Sequence, residues 1–74
     1  MTTEEALIKI SRACADAHKE QIGATRHELM HKTGLSLRET LADLHEMIDA
    51  GVVRCHPTIN SAFYSFTNKA YYAK

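Results

Sequence analysis

Up to residue 50 the apolar positions of this chain recur at helical spacing, and after Gly51 they alternate. Thr2-x-x-Glu5 has the form of a capping box, in which the threonine hydroxyl accepts from an orphan backbone N–H and the glutamate reaches back to the cap's own N–H. Behind it Leu7, Ile10, Cys14 and Ala17 share one helical face, with Glu4, Glu5, Lys9, Arg12, Asp16 and Lys19 on the others. This predicts a first helix over about 3–20. Gln21-Ile22-Gly23-Ala24 then breaks the pattern into a short extended stretch, with Gly23 as the natural stop.

Thr25-x-x-Glu28 and Ser36-x-x-Glu39 are two further capping boxes. They predict a helix over about 25–33, with Leu29 and Met30 inward and Gly34 at its end, and a helix over about 36–50 that carries Leu37, Leu41, Leu44, Met47 and Ile48 on one face. Leu35 is the apolar residue of the tight turn between them, and Gly51 closes the third helix. Beyond it, Val52–His56 and Ala62–Thr67 have the β-branched and aromatic content of strands, joined through the turn-prone Pro57-Thr58-Ile59-Asn60-Ser61. The hairpin spans about 52–67, and 68–74 form a last helical turn or a loose tail. The fold class expected is α+β, mainly α: one domain over 1–74, with three helices followed by a two-stranded β-hairpin.

Composition changes this picture little. At 74 residues, 45% hydrophobic and 24% charged, the chain is an ordinary globular domain with room for one small core. Cys14 and Cys55 lack any C-x-x-C spacing and read as small buried thiols in a reducing compartment. The Met-Thr-Thr-Glu-Glu start and the lack of a long apolar run imply a cytoplasmic protein without a membrane partner. Charge is more informative in its distribution than in its sum of zero. Residues 1–50 hold all nine acids and six bases, whereas 51–74 hold Arg54, Lys69 and Lys74 and no acid.

Three groups of residues bear a family resemblance: Glu28-Leu29-Met30, then Thr33-Gly34-Leu35-Ser36, then Leu44-x-x-Met47-x-x-x-Gly51-Val52-Val53. In their order and spacing, residues 4–67 resemble the winged helix-turn-helix family, small regulators of bacteria and their mobile elements. The resemblance implies a transcriptional regulator that binds double-stranded DNA, with the third helix in the major groove and the hairpin as a wing on the backbone. Its groove-facing positions would be Ser36, Arg38, Ala42 and His45, with Glu39 among them. Arg38 is the best base or phosphate contact. The wing would add Arg54, His56, Thr58, Asn60 and Ser61, flanked by Arg26 and Lys32 of the second helix and by Lys69 of the tail. One neutral domain offers few phosphate contacts, so a homodimer is implied. Against this, the third helix sets Arg38 alone against Glu39, Asp43, Glu46 and Asp49, and phosphate attraction dominates nucleic-acid affinity. The competing reading is a protein-interaction module that uses this acidic helix or the tyrosine-rich C-terminus without binding DNA. Phe63, Tyr64, Phe66, Tyr71 and Tyr72 read first as packing residues.

One string points elsewhere. His27-Glu28-Leu29-Met30-His31-Lys32-Thr33-Gly34 matches the first eight positions of H-E-x-x-H-x-x-G, the zinc helix of metzincin-type metalloproteases. That pattern places a third histidine three residues past the glycine, where this chain has Leu37. Glu39, Glu46 and Asp49 are the available substitutes, but Glu28 is already the capping partner of Thr25 and so is not free to activate a metal-bound water. His27 and His31 therefore read as adventitious zinc or nickel ligands at most. His18, His45 and His56 read as surface residues. No enzyme activity, cofactor or functional metal is expected.

Overall fold

The computed structural model describes residues 1–73; Lys74, the last base of the expected tail, lies outside them. The fold is α+β. Its elements run α1 (Thr3–Asp16), β1 (Ala24–Thr25), α2 (Arg26–Thr33), α3 (Leu37–Asp49), β2 (Val53–Pro57) and β3 (Ala62–Phe66), with a 3-10 turn at Lys69–Tyr71. All three capping boxes form, at Thr2/Glu5, Thr25/Glu28 and Ser36/Glu39. In the last, the Ser36 hydroxyl accepts from the Glu39 N–H at 3.2 Å while the Glu39 carboxylate accepts from the Ser36 N–H at 3.3 Å. A cap of this kind stabilises a helix start by about 1 kcal/mol.

Two helix ends use glycine as expected, Gly34 and Gly51 both standing at φ +76°. After α3, the Gly51 N–H donates to the Ile48 carbonyl at 3.0 Å and the Val52 N–H to the Met47 carbonyl at 2.9 Å, which satisfies the last turn's acceptors and turns the chain into β2.

The first helix ends differently from expectation: α1 stops at Asp16 rather than near residue 20. Here His18 takes the left-handed position, φ +54°, that glycine holds in α3. The same pair of bonds closes the end, His18 N–H to the Ala15 carbonyl and Lys19 N–H to the Cys14 carbonyl. Ala17, expected on the buried face, is therefore exposed, and Gly23 is not the stop of this helix. Its role is steric. A Cβ at residue 23 would collide with the Tyr64 carbonyl oxygen and come within 3.0 Å of the Phe63 ring.

That close approach belongs to a strand the hairpin expectation lacked. Ala24–Thr25 pairs antiparallel with β3, Ala24 opposite Tyr64 and Thr25 opposite Phe63, so the sheet has three strands in the order β1-β3-β2. On its other side β3 pairs with β2 from Val53↔Phe66 to Pro57↔Ala62. The Thr67 hydroxyl donates to the Gly51 carbonyl at 2.7 Å, and the Thr67 N–H donates to the Val52 carbonyl at 2.9 Å, closing the open end of the hairpin against the end of α3.

One core holds these layers together. Each helix contributes one fully buried leucine, Leu7, Leu29 and Leu44, and the sheet adds Ala24, Val53, Ala62 and Tyr64. Each leucine is worth roughly 1.5–3 kcal/mol relative to exposure. Two apolar expectations fail at the margins. Leu37, the first residue of α3, lies beyond the cluster joined by Leu44, Met47 and Ile48 and is 44% exposed. Cys14 is buried, but Cys55 is exposed because no helix covers the edge strand β2 beyond Val53.

The two unusual backbone positions give opposite expectations in thermal unfolding. Gly23→Ala is expected to destabilise the protein by about 1–3 kcal/mol, since the obstructing atom is backbone. His18→Gly should raise the melting temperature, because it removes a left-handed penalty of roughly 1–2 kcal/mol and returns only part of it as chain entropy.

Candidate nucleic-acid interface

The solvent side of α3 is set by its period. With Thr40 and Leu44 buried and Met47 and Ile48 packed on the core, Arg38, Ala42, His45 and Asp49 share the opposite, exposed strip. Arg38 lies in the first turn and Asp49 is the last residue, about 16 Å further along the axis. Ser36 does not present a free hydroxyl to this strip. As the N-cap it donates to the Glu39 carboxylate at 2.9 Å and accepts from the Glu39 N–H.

The acids of α3 have separate engagements, of which only the cap at Glu39 is visible in the sequence. Glu39 is held by the cap. Asp43 turns to α1, where it accepts a 2.7 Å hydrogen bond from the buried Thr3 hydroxyl. Glu46 faces the same side, lining with Thr2, Thr3, Glu4 and Asp43 a groove at the start of α1. Only Asp49 remains on the strip. The exposed strip thus carries Arg38 and Ala42 in the first half of α3 and His45 and Asp49 in the second, while Asp43 and Glu46 lie along the α1 border.

In the hairpin, paired residues face the same way. Arg54↔Ser65 and His56↔Phe63 therefore point outward from the core, together with Thr25 opposite Phe63. His56 Nε2 and the Ser65 hydroxyl are hydrogen-bonded at 2.9 Å, which fixes the ring across the strand pair. At the turn, the Thr58 N–H donates to the Ser61 carbonyl at 2.9 Å and the Ser61 N–H to the Thr58 hydroxyl at 3.1 Å. Thr58 and Asn60 are exposed, but the Ser61 hydroxyl is buried without a hydrogen-bond partner and does not face an interface. Ile59 between them, outside the residues expected at the interface, is 99% exposed. An apolar residue within a turn carries no sequence signal of full exposure, which the turn geometry sets.

The flanking bases divide. Lys32 is exposed in the last turn of α2. Arg26, its first residue, is half-buried, with its charge felt at Tyr64. Lys69 stands over α1 instead, bordering a groove with Arg12, Asp16 and Tyr72. There the Arg12 Nε–H donates to the Tyr72 carbonyl at 2.6 Å, tying the tail to α1. Of the aromatic residues expected to pack, Tyr64 is buried and Phe63, Phe66 and Tyr72 are half-buried, whereas Tyr71 stacks on Phe66 with ring centres 5.7 Å apart but remains exposed on its other side.

His27 and His31 lie exposed on α2, and the Glu28 carboxylate between them accepts from the Thr25 N–H at 3.1 Å and the Thr25 hydroxyl at 3.2 Å. Among the described residues no three His, Cys, Asp or Glu side chains converge as a metal site would require. Nor is any helix among them long and apolar enough to cross a membrane. Comparison with protein-family models, curated proteins and solved structures found no match, so functional inference rests on the geometry above.

Tyr64 is the titratable group most tied to the fold. Burial pushes its hydroxyl above the usual tyrosine value of 10.0, the adjacent Cys55 thiol adds to this, and the Arg26 charge works against it. The unfolded chain releases this proton near pH 10 and the folded one only above it, so the native state binds more protons there and stability falls as pH rises past 10. Alkaline denaturation followed by circular dichroism is expected to show this loss, and Tyr64→Phe should flatten it.

Proposed function

We propose that this protein is a DNA-binding transcriptional regulator of the winged helix-turn-helix type. In this reading α3 enters the major groove and the β2–β3 hairpin lies on the backbone as the wing. The carrying observation is the exposed strip Arg38–Ala42–His45 along α3, on which Asp49 is the one acid, since Glu39 is held at the Ser36 cap, Asp43 is bound by Thr3 and Glu46 lines the groove that Glu4 borders. Several features support it. Two helices are joined by the three residues Gly34–Ser36, a hairpin follows the second, and a short strand ahead of the pair completes the sheet. In such folds the first half of the recognition helix makes the base contacts, which suits Arg38 and leaves Asp49 outside the groove. Arg54 and His56 on the outer face of the hairpin, with Lys32 on α2, supply donors to phosphate. Two copies are needed for adequate affinity, placing their α3 helices in grooves one helical turn apart, about 34 Å.

Fluorescence anisotropy on labelled duplex should show binding that weakens steeply with salt. Arg54→Ala is expected to lower the salt slope by about 0.9 on every sequence. Arg38→Ala should cost roughly 1–3 kcal/mol on the preferred site and less on others. Absence of duplex binding even at low salt would remove this reading.

One observation favours the second reading, an interaction module. Its two surfaces, the acidic helix and the tyrosine tail, meet in a groove lined by Glu4, Glu46, Met47, Ala50, Val52 and Tyr71, with Tyr71 46% exposed. A basic peptide with an apolar face suits that groove. NMR shifts at Met47 and Tyr71 on adding such a peptide, lost in Glu4→Lys/Glu46→Lys but kept in Arg38→Ala, distinguish it from DNA binding.

A further inference from the structure

We propose that Ile59 acts as a wedge: the tip of the hairpin inserts this one side chain between two stacked base pairs from the minor groove and bends the duplex. The inference rests on the DNA-binding reading and adds a deformation to it. Ile59 is 99% exposed, whereas the other outward large apolar residues, Met1, Leu37 and Tyr71, keep about half their surface covered. It stands in a tip that is short and held. Strand pairing continues to Pro57↔Ala62, and the two hydrogen bonds between Thr58 and Ser61 pin the intervening turn. A fully presented aliphatic side chain on a held turn suits the unstacking of a base step, because little of the energy of insertion is spent on ordering the backbone that carries it.

The surroundings select this occupant over others. Thr58 and Asn60 flank Ile59 with exposed polar side chains, which set it apart in the turn from the apolar Pro57 at the end of β2. A base step needs only one side chain. The strand leading to the tip carries Arg54 and His56 and no acid occurs from Gly51 onward, so the hairpin itself offers donors to phosphate; the acid that shares a groove with His56, Pro57 and Thr58 is Glu20, ahead of β1. Pyrimidine–purine steps unstack most readily, so a wedge of this kind favours sites with TA or TG at the position under the hairpin.

The test uses the full chain and a duplex with donor and acceptor dyes at its ends and 2-aminopurine at a central TA step. Wild-type protein is expected to raise both energy transfer and 2-aminopurine fluorescence. Ile59→Ala should bind more weakly without either change, and Ile59→Leu should restore both. Because Ile59 touches no core residue, all three proteins are expected to give the same circular dichroism and melting temperature. Bending and unstacking that persist in Ile59→Ala, or binding by the wild type with neither, overturn the wedge and leave the DNA reading standing. A wild type that binds no duplex overturns both. A change in the sedimentation of the free protein with Ile59→Ala assigns the side chain to a contact between copies and overturns the wedge.

Discussion

The position of the hairpin relative to the helices depends on a ladder two residues long. Ala24 faces Tyr64 and Thr25 faces Phe63, and the approach is possible only because residue 23 has no Cβ to strike the Tyr64 carbonyl. Thr25 ends this strand and also caps α2, which begins at the next residue. Strand pairing and helix start are thus one event, and the sheet cannot move without disturbing the helix. The other attachment is the Thr67 clamp on Gly51 and Val52, which joins the end of β3 to the end of α3. Held at both places, α3 and the hairpin present a single surface whose shape is fixed before any ligand arrives. Such preorganisation reduces the entropy lost on binding.

A net charge of zero describes this surface poorly. Of the nine acids in the chain, Glu5, Glu28 and Glu39 are engaged by helix caps and Asp43 by Thr3. A carboxylate at a helix start is balanced by the unpaired N–H groups and the positive end of the helix dipole, so its outward field is weakened. The capped position also keeps Glu5 below the ordinary carboxylate range, chiefly through its bond from the Thr2 backbone. The bases are not consumed in this way on the α3 and hairpin side: Arg38, Arg54 and Lys32 remain exposed. The balance of the chain is therefore a sum over unlike faces, and the α1 border with Glu4 and Glu46 carries the negative one.

Local signals were legible in the sequence and long-range ones were not. The three capping boxes, with Gly34 and Gly51, involve partners within a few residues, and each formed where its spacing indicated. The end of α1 has no local signal, because its left-handed position is filled by His18, a residue without glycine's signature. β1 shows in the sequence only as an extended stretch, since two residues carry no period and their partner lies some forty positions away. Gly23 looked like a helix stop because its real reason, the backbone of β3, is distant in sequence. Leu37 and Cys55 fit apolar patterns but stand where the small core does not reach. On the candidate interface, the outward positions of α3 followed from its period. The removal of Asp43 by Thr3, the inward turn of Ser61 and the exposure of Ile59 each required the tertiary structure.

The strand order β1-β3-β2 places the last strand of the chain at the centre of the sheet. During synthesis the earlier strands have no partner until residues 62–66 have emerged, while the helices carry their own start signals and can form as they appear. The pairing of β1 with β3 joins residues some forty positions apart, so it is the contact that chain-closure entropy opposes most, and helices already formed between the two strands shorten the chain that must close. A nascent chain stalled before β3 would expose two unpaired strand edges and the sheet-facing side of the helices, the state most prone to association with other chains.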